Sequence, residues 1–578
     1  MGLPGRALRR AFDVMRSPTA RAAAFYVVLT LALTYPLSLH PASTTFPPSS
    51  DLNLYIWTLA WNAHAFLHHP LSIFDANIFY PYHRTLAYSE NLIGAALLVA
   101  PVHWLLQEPL LTMNLAALAT VPLCALGAFV LARRLELSLP AAWICGLVYG
   151  FAPPRFLRLD QAHLTAVEWI PYCLAYAHTY VKTRRPYDLR VAIAFLSLQA
   201  LTSGHGAVFL IFALACWAVC SVATGSRPAL LQALRDTGMP GALLLLPSAL
   251  LFIPYRMVQA EVGLRRELGD WTGAWASFLS SPTHVDSFIL DHLGSFGAWV
   301  NTNTQASLFP GYLPLLLAAA AFMRHRSGDT NAPSFNIATR AMNIARWPST
   351  RRGDARVFYG LLVVACALLA VGPPYGPWRF LYWLPGLSFI RVPSRFMILA
   401  TLGVAVLCAF GFERLTRRAS SRTRRLVAAA VCAALIGEFA VIPFDVVPNP
   451  VVIPAADRWL DLQQRPFVVA ELPPMDPSVP MLHSMAHWEK TVHGYSGWKP
   501  QLTQQIEEQL SRFPDEGSLD ALSKVGVTYL VVHASMYPPG EWPTMERRLE
   551  QVGSRLTLRY RDSQGRVYAL SRRPGADN

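Results

Sequence analysis

The chain has 578 residues, of which 53% are hydrophobic and only 15% charged. A soluble chain carries about 25% charged residues, so this composition excludes an ordinary soluble enzyme and points to a membrane. Net charge is +14, from 49 basic and 35 acidic residues, a sign that by itself also suits nucleic acid. The distribution of the charge removes that partner. Residues 444–578 hold 14 basic and 16 acidic residues, whereas residues 1–443 hold 35 and 19. The whole excess lies among apolar runs, as in the cytoplasmic loops of multi-pass proteins. Arg outnumbers Lys 45 to 4, a compositional bias.

The N-terminus carries Arg6, Arg9, Arg10, Arg16 and Arg21 ahead of an apolar stretch at 22–39. That pattern resembles a signal peptide, but the many apolar runs that follow make it an uncleaved first span with a cytoplasmic N-terminus. A first outer loop covers 40–109. In it Ser49 or Ser50 can cap a helix with Asp51 in its first turn. Tyr55, Trp57 and Trp61 suit an interfacial helix. The run 91–106 reads as interfacial or re-entrant, since counting it as a span inverts every later loop. A spanning helix needs about 20 apolar residues. Further candidates lie at 110–132, 139–154, 164–181, 191–203, 206–223, 240–255, 310–323, 357–371, 396–413 and 426–443. With the first, they make eleven spans in a bundle of about 11–13.

From a cytoplasmic N-terminus, 26 of the 35 basic residues of 1–443 fall on cytoplasmic segments, including an Arg-rich loop at 324–356. Eleven crossings then place residues 444–578 outside. Pro443, Pro448, Pro450 and Pro454 mark the linker to this domain, which reads as α/β. Buried strands are expected at 467–472 and 527–533, and a final pair at 556–561 and 566–570. Helices are expected near 501–511, 516–524 and 541–552. The fold class is therefore mainly α: a transmembrane bundle over 1–443 with an extracytoplasmic α/β domain over 444–578. All eight cysteines lie in apolar runs without metal or redox spacing, and read as packing residues.

Nine arginines remain on the outer side: Arg84, Arg155, Arg158, Arg256, Arg265, Arg266, Arg379, Arg391 and Arg395. Long basic side chains at helix ends often snorkel to headgroups, which is the bland explanation. Arg155 and Arg158, and Arg391 and Arg395, stand in Pro- and aromatic-flanked turns where forked guanidinium groups can grip a phosphate. Asp51 is either a helix-end carboxylate or a general base at the membrane surface. Asp75, His83, Arg84 and Glu90 lie among aromatics in the same loop. Asp160, His163 and Glu168 follow a later span, and His205 joins two spans. Asp51, Glu90, Asp160 and His163 offer oxygen and nitrogen ligands for Mg2+ or Mn2+; hydrogen-bonded interfacial side chains are the plainer reading of each. His483, His487 and His493 lack a fourth zinc ligand and read as surface residues. No Walker or dinucleotide fingerprint is present. Gly494-Tyr495-Ser496-Gly497 is one residue short of a nucleophile elbow.

Several short motifs occur in a recognisable order. They are Asp51 after the first span, Phe79-Tyr80-Pro81, Arg133-Arg134, Phe151-Ala-Pro-Pro-Arg155, Leu308-Phe309-Pro310-Gly311 and Arg391-Val-Pro-Ser-Arg395-Phe. Together, over about 20–440, they resemble the bacterial polytopic membrane glycosyltransferases of the GT-C superfamily. The resemblance implies a polyprenyl-phosphate sugar as donor. It also implies an envelope glycan, lipid or protein acceptor at the outer face of the cytoplasmic membrane. Asp51 inherits the role of catalytic base, in an inverting transfer. Many members have two adjacent acidic residues in this loop; here Leu52 follows Asp51, and Asp160 or Glu90 would supply the second. Two rival readings are a lipid or glycan flippase and a non-catalytic envelope assembly protein. A transporter needs polar groups at mid-bilayer, whereas here they gather at the outer ends of the spans.

Overall fold

A computed structural model describes residues 17–223, 227–263, 275–323, 352–384, 387, 390–449 and 451–571. Most of the Arg-rich loop, Arg265 and Arg266 lie outside the described residues. The chain divides into two compact units. The first comprises residues 1–39, 116–251 and 265–445, and the second 40–115, 252–264 and 446–578.

Each of the eleven apolar stretches forms a helix. They are Pro18–Leu33, Pro109–Arg134, Leu139–Phe151, Trp169–Thr183, Pro186–Thr202, Gly204–Ala223, Arg227–Val262 (broken by a kink at Gly238), Tyr312–Ala320, Arg352–Ala370, Met397–Leu415 and Ser421–Phe439. Local chemistry starts several of them. The Ser17 and Ser420 side chains accept the N–H groups of Ala20 and Thr423, and Pro18 takes the first helical position, where no donor is needed. Among the described residues, three helical stretches are long and apolar enough to cross a membrane: Pro109–Arg134, Leu231–Glu261 and Pro393–Leu415. Shorter apolar helices include Pro18–Leu33 and Ile93–Leu106. The latter occupies the run expected to be interfacial or re-entrant, and its 14 residues reach only about 21 Å.

In the first unit, Met397–Leu415 is nearly all buried. Tyr312–Ala320, Arg352–Ala370 and Leu139–Phe151 pack around it. The contact with Tyr312–Ala320 is close because Gly411 faces backbone: a Cβ there would lie 1.8 Å from the Leu317 carbonyl oxygen. Glu438 supports the start of Tyr312–Ala320 by accepting the Tyr312 N–H and, at 3.3 Å, the Leu313 N–H. Gly311 makes the preceding turn at φ 106°, a conformation that penalises any side chain. The outward face of Arg227–Val262 is apolar, with Leu231, Leu234, Met239, Leu243, Leu250 and Ile253 exposed. Such a face is unfavourable in water and suits lipid.

In the second unit, β1 (Thr44–Thr45) pairs antiparallel with β2 (Val447–Pro448). The remaining strands are β3 (Val468–Leu472), β4 (Lys490–Thr491), β5 (Tyr529–Val532), β6 (Leu556–Arg561) and β7 (Arg566–Leu570). They form a mixed sheet in the order β4-β3-β5-β7-β6. β3 runs parallel to β4 and β5, while β7 is antiparallel to β5 and β6. Strand alternation sorts the residues into two cores. Val468, Ala470, Leu472, Leu530 and Val532 meet Ile506, Leu510, Leu519 and Leu522 from the helices Gln501–Leu510 and Glu516–Val525. Val469, Val531 and Val567 meet Ala456 and Leu460 from the helix Ala455–Leu460. All four expected strands and all three expected helices of this region are present.

Gly411→Ala is expected to lower the melting temperature of the detergent-solubilised chain, at a cost of about 1–3 kcal/mol for overpacking against backbone. Gly437, with nothing within 4 Å of an added Cβ, serves as control: Gly437→Ala should leave melting unchanged or raise it.

Candidate functional site

Asp51 sits in the first turn of the helix Ser50–His68, and Ser49 caps that helix by accepting the Leu52 N–H at 3.1 Å. The helix N-terminus favours the carboxylate there. Asp51 is exposed, and Tyr495 donates its hydroxyl to Asp51 Oδ1 at 2.8 Å. Two further bonds tie the start of this helix to the segment after β3. Ser50 Oγ donates to Asp476 Oδ2 at 2.5 Å, and Asn53 Nδ2 donates to Ser478 Oγ at 3.0 Å. Burial works to raise the Asp476 carboxyl, but hydrogen bonds from Ser50 and Ser478 outweigh it and hold the group below the usual carboxylate range. Tyr55, Trp57 and Trp61 are buried within the unit, contrary to an interfacial role. Trp61 stacks on Trp57, and its ring N–H donates to the Ile73 carbonyl at 2.9 Å. Period 3.6 puts Trp57 and Trp61 on one helix face and Tyr55 on nearly the opposite one, and the fold buries both faces.

The rest of the loop is held by backbone bonds to the region of β4. Thr491 N–H donates to the Asn77 carbonyl at 2.8 Å, Tyr80 N–H to the Thr491 carbonyl at 2.9 Å, and Phe79 N–H to the His493 carbonyl at 2.9 Å. The segment around the Phe79-Tyr80-Pro81 motif is thus tied by backbone bonds to the edge of the sheet at β4. Asp75 Oδ1 accepts the Arg84 N–H at 2.8 Å, and exposed His83 lies 3.9 Å from the same oxygen. Arg84 is paired with Glu261. Glu90 is buried, and next to it Asn91 donates to the Tyr255 hydroxyl at 3.1 Å.

The first unit gathers a second group. Arg395 Nη1 lies 2.9 Å from His205 Nε2, although 190 residues separate them. A guanidinium can only donate, so Nε2 accepts and the His205 ring carries its proton on Nδ1. The His163 ring meets His205 edge-on at 5.0 Å. Ser203 Oγ donates to the His163 carbonyl at 2.5 Å and accepts the Gly206 N–H at 3.1 Å, which fixes the turn between the two helices. Arg155 is fully buried, and its guanidinium donates to the carbonyls of Tyr149, Gly150 and Thr165 at 3.2, 2.6 and 3.4 Å. Arg158 and Asp160 are partly exposed, and Arg391 is exposed. Asp51 and Glu90 belong to one unit and Asp160 and His163 to the other. No single unit therefore assembles the four-residue Mg2+ or Mn2+ set.

His483, His487 and His493 are not surface residues; all three are buried. The cause is topological. His493 follows β4, and its Nε2 accepts the Glu471 backbone N–H at 2.7 Å. His483 ends the helix Ser478–His483 and reaches the Glu471 side chain. The sequence signal for this region was an acid and a histidine, Glu471 and His533, inside two strands read as buried. Tyr495 carried no such signal.

No family model matches the chain, and no curated protein matches it. Solved structures do. The mycobacterial arabinofuranosyltransferase AftD is 14% identical, with a TM-score of 0.57 over 96% of this chain. The chain shares its fold with that transferase. A mutant form of AftD gives a TM-score of 0.55 at 15% identity over 96% of this chain and 41% of its own. The chain spans 40% of the AftD chain in the first of these. The archaeal oligosaccharyltransferase AglB from Archaeoglobus fulgidus, in complex with an inhibitory peptide and a dolichol-phosphate, is 13% identical. That match covers 96% of this chain and 74% of AglB, with a TM-score of 0.46.

Arg155→Lys is expected to destabilise the first unit by about 1–3 kcal/mol, because one ammonium cannot satisfy carbonyls that the guanidinium fork reaches. Arg158→Lys should stay within about 0.5 kcal/mol, as partly exposed positions do. Thermal melting of the two variants side by side checks both.

Proposed function

We propose that this chain is an integral membrane glycosyltransferase that uses a polyprenyl-phosphate sugar and acts with inversion on an acceptor hydroxyl. The observation that carries the reading is the GT-C fold over nearly the whole chain, combined with an exposed, hydrogen-bonded Asp51 at the start of the first loop helix. The chain acts in the bacterial cytoplasmic membrane, with its catalytic groups and the domain 444–578 on the outer side. The transferred group is a hexosyl or pentosyl unit, and the acceptor is an envelope glycan, lipid or protein.

Roles follow residue by residue. Asp51 takes the proton of the acceptor hydroxyl as the oxygen attacks the anomeric carbon. Tyr495 orients the carboxylate, leaving Asp51 Oδ2 for the acceptor. The bond from the anomeric carbon to the phosphate oxygen breaks, and the polyprenyl phosphate leaves with the electron pair. Arg391 and Arg395 receive the charge that develops on that phosphate. Neutral His205 accepts from one nitrogen of Arg395 and so aims the rest of the fork. Arg155 acts from beneath, holding the turn that presents Arg158. His83, Arg84, Glu90, Asp160 and His163 serve the acceptor or support these groups. The donor is already activated, so no nucleotide takes part.

Transfer from a panel of radiolabelled polyprenyl-phosphate sugars, measured with the full chain in detergent, tests the proposal. Asp51→Asn should lower turnover by about 100-fold or more, with expression and melting intact. Undiminished transfer by that variant would remove Asp51 from the base role. Arg395→Ala is expected to reduce kcat and raise the KM for the donor, while His205→Ala should produce the smaller loss of a residue that positions another.

A further inference from the structure

The helix Ala455–Leu460 covers one face of the sheet with Ala456 and Leu460, which pack on Val469, Val531 and Val567. Toward the carboxyl ends of parallel β3 and β5 this apolar core changes character. Strand alternation carries the same face from Val469 to Glu471 and from Val531 to His533. Asp457 comes from the covering helix, and His483 from the helix Ser478–His483. Four ligand-type side chains from four different elements therefore converge in the interior. Their exposures are 0% for Asp457, 1% for Glu471, 5% for His483 and 3% for His533. One ligand atom from each lies within 4.8 Å of the other three.

Glu471 Oε2 is contacted by His483 Nδ1 at 2.7 Å and by His533 Nε2 at 2.7 Å. A closed His–Glu–His hydrogen-bond network is the plainer account of that part. It does not account for Asp457. Both carboxylate oxygens of Asp457 are buried and lack a hydrogen-bond partner among the described residues. A buried carboxylate beside a second one in an apolar core is costly, and a positive group between the two relieves that cost. A divalent cation meets the need. Two carboxylates and two neutral imidazoles around one such ion give zero net charge.

We propose that Asp457, Glu471, His483 and His533 form a binding site for a divalent cation of the zinc class inside the C-terminal α/β region. The ligand set is consistent with zinc, which takes four ligands from His nitrogen and carboxylate oxygen at about 2.0–2.2 Å. Paired imidazoles disfavour Mg2+ and Ca2+, which take oxygen. Ligand atoms around a tetrahedral ion stand roughly 3.3–3.5 Å apart at such bond lengths. The two short contacts must then open, and the wider ones close, by shifts of the side chains. Burial of all four residues makes the site structural: it ties the covering helix to the carboxyl ends of β3 and β5. His493 braces it by accepting the Glu471 backbone N–H. This site is independent of the transfer reaction, and none of its ligands has a role there.

The full chain in detergent, stripped with EDTA, reloaded with micromolar ZnCl2 and gel-filtered, decides the matter through zinc counting and X-ray absorption. The expected result is one zinc per chain with imidazole and oxygen neighbours, and a melting temperature that rises with zinc and falls with EDTA. Asp457→Ala and His533→Ala should each cut retained zinc by about 10-fold or more. If either fails to fold, Asp457→Asn, which keeps the volume, replaces it with the same expected loss. A surface cluster provides the control: His64 and His68 stack at 4.3 Å near His69, and the triple His64→Ala, His68→Ala, His69→Ala variant should retain its zinc. The proposal is overturned if the unaltered chain retains no zinc, if the Asp457 and His533 variants retain it undiminished, or if zinc is lost with the surface cluster.

Discussion

The second unit depends on one set of backbone hydrogen bonds, those between residues 77–80 and residues 491–493. An unpaired edge at β4 would expose a row of donors and acceptors, and a loop of 70 residues would be costly to order without partners. Each satisfies the other. The pairing brings the start of the loop helix to the segments that flank the sheet, and Tyr495 lies two residues beyond the last paired position. Asp51 is thus positioned by contacts far along the chain and by its own helix cap, with Ser49 holding the backbone of the first turn and Tyr495 the carboxylate.

Arginine is used in two contrasting ways in the first unit. Arg155 is consumed by structure: its fork satisfies carbonyls where three short segments meet, and a buried guanidinium needs that many partners. Arg395 meets an imidazole instead: its Nη1 donates to His205 Nε2, a contact that orients the fork without itself adding a negative charge beside it.

Lipid and protein interior share the apolar residues. Met397–Leu415 is enclosed by other helices, whereas Arg227–Val262 leaves much of its apolar surface uncovered. The two have similar sequence character, each long and apolar enough to cross a membrane. Composition therefore signals a membrane helix in both, and only packing separates the centre of the bundle from its outside. Small residues such as Gly411 mark the enclosed helix, because close backbone approach replaces the side-chain contacts that water would otherwise drive.

The sequence by itself determined the elements. Apolar runs located the eleven helices, short apolar runs and a turn located four strands, and the Ser49–Asp51 pattern located a helix start, because each of these signals is local. The tertiary structure alone decided the companions. Tyr495 reaches Asp51 across 444 residues, Arg395 reaches His205 across 190, and His533 reaches Glu471 across 62. The histidines 483, 487 and 493 look like polar surface residues by spacing, yet they are buried around a strand acid. Periodicity records which face a residue takes within its own element. Which element will cover that face depends on sheet order and helix docking, and those are set by contacts between segments that the linear pattern keeps apart.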